Sequence, residues 1–140
     1  MVFGQPEVSI SLVTRDRPQL LDHALALIET QDYPLEQVEI LLVDSSREPL
    51  EAFLYDRWHH RGLHRQMRYF YMEEPVTIGE KRNFAVRMSR GSVIVQWDDD
   101  DYYGPNRLSE QVEPIRSGQV SCSALSFGHW YFLDEDESVS

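Results

Sequence analysis

Short apolar runs alternate with amphipathic stretches along this chain. EVSISLVT (7–14) has the length and β-branched character of a strand. From Pro18 to Thr30, Leu21, Ala24, Leu25 and Ile28 recur at helical spacing behind a proline suited to a first helical turn. QVEILLVD (37–44) predicts a second strand, residues 49–62 a helix stopped by Gly62, and MRYFYM (67–72) a third strand. In TIGEKRNFAVRMSRG, Thr77 and Glu80 have capping-box spacing, Phe84, Ala85 and Met88 share a face, and Gly91 is placed to end the helix. SVIVQW (92–97) is nearly continuous in apolar character, as expected of a strand buried on both faces. A helix from Pro105 to Arg116 and two further strands, VSCSALSF and HWYFLD, complete the pattern.

Strand–helix alternation repeated three times predicts an α/β domain over residues 1–140: a mostly parallel sheet with helices on both faces, in three layers. Ligands of such sheets bind beyond the carboxyl ends of the strands. Those ends carry Thr14 to Asp16, Asp44, Glu73 and Glu74, and four consecutive aspartates, Asp98 to Asp101, followed by Tyr102 and Tyr103.

Composition narrows the partners. A formal net charge of −11 disfavours non-specific binding to nucleic acid or anionic membrane surfaces. No run approaches the roughly 18 apolar residues of a membrane span. The single cysteine, Cys122, allows neither an intrachain disulfide nor a Cys-rich zinc site, and MVFGQPEVSISLV lacks the form of a secretory signal, so a cytoplasmic location is expected.

The acidic tetrad needs an offset, because adjacent carboxylates repel and lose hydration beside apolar surface. With an extended backbone, Asp98 and Asp100 point one way and Asp99 and Asp101 the other. Such oxygen donors suit Mg2+ or Mn2+, which retains waters and completes its shell with substrate phosphates. The plain alternative is a solvated acidic turn. Asp99, Asp101, Gly104 and Glu110 also fall at positions 1, 3, 6 and 12 of an EF-hand loop. Tyr103 and Arg107 occupy positions where ligands belong, however, and VIVQW is not an entering helix. His60 and His64 have i, i+4 spacing but lie among Arg57, Arg61, Arg65 and Arg68 with no third ligand, which predicts a solvated basic face. Trp58, Trp97 and Trp130 are expected in packing, and Glu73 and Glu74 as solvated strand ends.

Two blocks carry a family resemblance. VSISLVTRDRPQLLDHALALIETQDYPLEQVEILLVDSS resembles the opening strand, helix and second strand of the family 2 glycosyltransferases, which have the GT-A fold of the nucleotide-diphospho-sugar transferases. GEKRNFAVRMSRGSVIVQWDDDDYYGPNRLSEQV resembles that family's basic-Asn helix and the Asp-x-Asp strand end that follows it. The resemblance runs from about Val8 to Leu133 and implies a nucleotide-diphosphate sugar, with a UDP-sugar the expected donor, held through Mn2+ or Mg2+ for transfer to an acceptor hydroxyl.

Residue by residue, the resemblance implies that Asp98 approaches the ribose or the metal and that Asp100 binds the metal on the donor diphosphate. Asp99 and Asp101 stay open between registers. Asp44 matches the acid that hydrogen-bonds the base, and Thr14 lies in the loop beside that base. Arg82 matches a basic residue near the nucleotide, flanked by Lys81 and Asn83. There are departures: VTRD replaces Pro-Thr-Tyr-Asn, leaving Arg15 where a guanidinium can stack on the base, and DSSR replaces Asp-Asp-Gly-Ser. The family's catalytic base comes from well beyond the Asp-x-Asp strand, so none is assigned in these 140 residues, and the sheet is expected to be incomplete at its C-terminal end. Uncovered apolar surface in VSCSALSF and HWYF then predicts self-association. A nucleotide-sugar-binding module without catalysis is the alternative reading.

Overall fold

Four strands form one wholly parallel sheet: β1 (Val8–Thr14), β2 (Val38–Asp44), β3 (Met67–Tyr71) and β4 (Val93–Asp98), in the order β3-β2-β1-β4. The computed structural model describes residues 4–126, 128, 130–132 and 137–139. Each crossover carries a helix: α1 (Pro18–Glu29), α2 (Glu51–Trp58) and α3 (Ile78–Met88), with α4 (Arg107–Arg116) after β4. A separate antiparallel pair joins β5 (Trp130–Phe132) to β6 (Glu137–Val139). Residues 134–136 of a second acidic stretch, DEDE (134–137), lie outside the described residues.

Three layers result from the two-residue period of the strands. Val8, Ile10 and Leu12 of β1 and Ile40 and Leu42 of β2 face one way, onto Leu21, Leu25 and Ile28 of α1, Leu54 and Trp58 of α2 and Leu108 and Val112 of α4. Val13, Leu41 and Val43 face the other way, onto Ala85 of α3 with Phe84 and Met88 beside it. Both central strands are therefore buried at every position. On this second face Glu39 accepts from Ser9 Oγ at 2.6 Å, from the Arg90 backbone N–H at 2.6 Å and from Arg68 at 3.2 Å, while the buried Ser11 Oγ has no partner.

The capping box forms as expected, with Thr77 Oγ1 accepting from the Glu80 N–H at 3.1 Å and Glu80 accepting from the Thr77 N–H at 2.7 Å. Gly91 has a different role from the helix stop expected of it. α3 ends at Met88, and a Cβ at Gly91 would stand 2.7 Å from Ser9 Oγ, 2.8 Å from Ser9 N and 2.9 Å from Glu7 O. Two of those atoms are backbone and cannot turn aside. Gly91→Ala is expected to cost about 2–3 kcal/mol by overpacking; a urea-unfolding midpoint unchanged from the parent would show this close approach to be relaxed elsewhere.

Three further expectations need correction. β4 is not buried on both faces. It is an edge strand, so Val93, Val95 and Trp97 are buried while Ile94 is 44% exposed and Gln96 faces solvent. VSCSALSF is not a strand over its described residues, 120–126. Residues 121–125 line, together with β4, a cavity of about 630 Å³ and form no ladder with that strand. The helix expected over 49–62 ends at Trp58, and a 3-10 turn, Gly62–Gln66, leads into β3.

Candidate functional site

The strand order places β2 and β3 on one side of β1 and β4 on the other, so the switch point lies between the carboxyl ends of β1 and β4. Thr14 and the aspartate tetrad sit there. The adjoining loops are bonded to one another. Thr14 C=O accepts from the Ser45 N–H at 3.1 Å, and Asp16 donates its N–H to Ser46 Oγ at 2.7 Å. Asp16 adopts a positive φ of 52°, a left-handed conformation that aspartate tolerates better than most residues. Its carboxylate accepts from the Arg47 backbone N–H at 2.9 Å, and that bond holds its pKa below the usual value.

Asp44 ends β2 with no solvent exposure. It accepts from the Ser46 N–H at 2.8 Å, the Leu50 N–H at 2.9 Å and the Tyr69 hydroxyl at 2.6 Å. Burial first, then the Asp44 carboxylate, pushes the Tyr69 hydroxyl well above its ordinary pKa. The carboxylate expected to meet a base is thus engaged inside the protein.

The tetrad does not stay extended. β4 ends at Asp98 and the chain turns at Asp99 and Asp100, so the expected alternation fails. Asp98 pairs with Arg82 at 2.8 Å. Asp99 and Asp100 converge instead on one cation, Arg17 Nη1, at 3.3 and 3.0 Å. Asp99 is buried and also accepts from Thr14 Oγ1 at 2.8 Å, while Asp100 is about half exposed. Asp101 accepts from the Tyr103 hydroxyl at 3.0 Å. Burial raises the Asp99 pKa, against the lowering effects of Thr14 and Arg17. The folded chain therefore holds that proton to higher pH than the unfolded chain, and ionisation of Asp99 as pH rises through its folded pKa weakens the fold. A cation at the tetrad opposes that loss.

Cations surround these acids. Arg15 pairs with Glu74 at 3.3 Å, correcting the expectation that Glu74 is merely solvated. Lys81 is buried, donating to Ser45 Oγ at 2.8 Å and Thr14 C=O at 3.2 Å; burial lowers its pKa, with Glu74 opposing. Asn83 is exposed on α3. The start of that helix is occupied by the Glu80 carboxylate of the capping box. Sequence reasoning passed over Arg17, Ser45 and Ser46. No local signal marks Arg17, which precedes the proline that opens α1 and meets the tetrad only in the folded chain.

The tetrad's hard oxygen donors match the chemistry of Mg2+ or Mn2+. Among the described residues no three His, Cys, Asp or Glu side chains gather to hold an ion. An ion that takes one or two carboxylates and its remaining ligands from substrate phosphates and water needs no third acid. The shared position of Arg17 Nη1 shows that two of these carboxylates accommodate a cation between them. The donor set fits such an ion.

Elsewhere, Trp58 and Trp97 are core residues, Tyr103 packs edge-on against Trp97 with ring centroids 4.7 Å apart, and Tyr102 is 75% exposed. The Trp130 side chain lies outside the described residues. His59 and the half-buried His64 lie against Tyr55, and His60 packs on His59. No helix among the described residues is long and apolar enough to cross a membrane.

The sequence profile described as Glycosyl transferase family 2 matches residues 9–133. The chain is 32% identical over 111 residues to the Escherichia coli (strain K12) protein named Putative colanic acid biosynthesis glycosyl transferase WcaA, covering 76% of this chain and 37% of that one. S. aureus TarS 1-349 superposes with a TM-score of 0.63 at 17% identity, covering 81% of this chain and 33% of that one, and has also been solved in complex with UDP-GlcNAc. Mannosyltransferase PcManGT from Pyrobaculum calidifontis, in complex with GDP-Man and Mn2+, superposes with a TM-score of 0.62 at 25% identity, covering 79% of this chain and 32% of that one. The chain spans about a third of the length of these relatives.

Proposed function

Because the chain belongs to glycosyl transferase family 2, we propose that it is the donor-binding part of a glycosyltransferase, holding a nucleotide-diphosphate sugar with a divalent ion. The observation that carries this reading is the meeting of Thr14, Arg17, Arg82 and the tetrad at the switch point of a parallel sheet. Named complexes of the structural relatives with UDP-GlcNAc and with GDP-Man and Mn2+ support it.

In this reading Asp98 and Asp100 hold the ion, and Arg15 and Arg82 line the path of the anionic donor, with Asn83 beside them. Arg82 swings between Asp98 and phosphate, and Arg17, released from Asp100, does the same. Guanidinium groups suit that exchange because their planar donors match phosphate as well as carboxylate. Asp44 and Lys81 act from beneath. When bound, the ion stabilises the departing diphosphate. The base that takes the acceptor proton is assigned to no residue of this chain.

Calorimetric titration with UDP and GDP, each with and without Mn2+, tests the reading. Binding that requires Mn2+ is expected for one nucleotide at least, with UDP favoured. Absence of binding under every condition would leave the family fold here without its donor site.

A further inference from the structure

Lys81 is the buried cation of the site. Its ammonium comes from the first turns of α3 and reaches beneath two loops, to Thr14 C=O at the end of β1 (3.2 Å) and Ser45 Oγ just after β2 (2.8 Å). Thr14 is itself bonded on both sides. Its carbonyl also accepts from the Ser45 N–H at 3.1 Å, and its hydroxyl donates to Asp99 at 2.8 Å. A continuous path therefore runs from Lys81 through Thr14 to Asp99, and from Asp99 through Arg17 to Asp100.

A lysine suits this place for two reasons. Its long apolar stem crosses packed surface while its three N–H donors reach more than one acceptor. Its charge also lies among the carboxylates of Asp44, Glu74 and Asp99, with Arg15 the opposing cation. A neutral side chain there would leave those acids less compensated, remove the Lys81 donor from Ser45 Oγ and leave Thr14 C=O with the Ser45 N–H alone.

We propose that Lys81 is a positioning residue: its ammonium locks the carboxyl ends of β1 and β2 to α3 and, through Thr14 and Asp99, fixes the turn that presents Asp100 to the incoming cation and donor diphosphate. This rests on the donor-site reading above, in which the amine touches no ligand. It acts on the ion-binding turn from behind.

The test measures Mn2+–UDP affinity calorimetrically, and Mn2+ affinity by electron paramagnetic resonance, for the parent, Lys81→Met, Thr14→Val and Thr14→Ser. Circular dichroism checks that each is folded. Lys81→Met is expected to raise the Kd by about tenfold or more, the usual scale for a residue behind a metal ligand. Thr14→Val keeps the carbonyl but removes the hydroxyl that holds Asp99, and is expected to show the same loss; Thr14→Ser restores the hydroxyl and the affinity. Folded Lys81→Met that binds Mn2+–UDP like the parent overturns the proposal, even if its melting temperature falls. Should Lys81→Met not fold, Thr14→Val and Ser45→Ala decide, and parental affinity in both overturns it. A parent chain that binds no nucleotide with Mn2+ overturns the donor-site reading and this proposal together.

Discussion

Asp100→Asn is expected to abolish the Mn2+ dependence of UDP binding, raising the Kd about a hundredfold or more, because loss of a direct ligand exceeds the usual loss from its supporting shell. Asparagine keeps the size and one oxygen of aspartate but loses the charge that attracts a hard cation. Folding should hardly change. Asp100 is about half exposed, and its one described ion pair is to the similarly exposed Arg17. Removing a charge from a run of four aspartates also relieves repulsion. A thermal midpoint within about 2 °C of the parent is expected, as for loss of an exposed pair. Metal-dependent binding that survives the substitution would move the ion to another carboxylate of the run, with Asp99 next in line through its shared contact with Arg17.

The second large effect is expected at Asp44, on stability rather than on binding. Asp44→Ala strips acceptors from the Ser46 and Leu50 N–H groups and the Tyr69 hydroxyl, all held by a carboxylate with no solvent exposure. Leu50 N also lies 3.1 Å from Tyr69 Oη, so part of that network survives. A cost of about 3–5 kcal/mol is expected, since each buried donor left without an acceptor costs about 1–3 kcal/mol. Set against a whole-domain stability of about 5–15 kcal/mol, this brings the chain close to unfolding. Asp44→Asn keeps the volume but turns an amide donor toward other donors, at a cost of about 2 kcal/mol. Urea unfolding measures both. The opposite result, full stability with a changed preference between UDP and GDP, would return Asp44 to the base-contacting role that the family resemblance implies.

Arg17 illustrates the limit of reading a linear pattern. A charged residue before a proline-opened helix looks like ordinary solvation, and its importance comes from a turn more than 80 residues later in the chain. The alternating reading of the tetrad failed for a related reason. It assumed an extended backbone past Asp98, whereas the strand loses its ladder partner there: β1 pairs with β4 only as far as Val13 and Asp98. Once the ladder ends, nothing holds the two-residue period, and Asp99 turns inward to Thr14. β4 misled in the opposite way. An apolar run fits a doubly covered strand or an edge strand equally well, and only the neighbours distinguish them.

The sequence by itself determined the order and kind of the main elements from β1 to α4, the capping of α3 and the arrival of the acidic run at a strand end. These follow from signals a few residues long: apolar period, a capping pair, a first-turn proline. The tertiary structure alone decided which carboxylates share a cation, that Asp44 and Lys81 are buried while Asp100 is exposed, and that β4 lies at an edge. Those properties depend on the field and packing of segments distant in the chain. Thr14 meets Asp99 across 85 positions and Lys81 across 67. A side chain's burial, partners and charge environment are set where the chain returns upon itself.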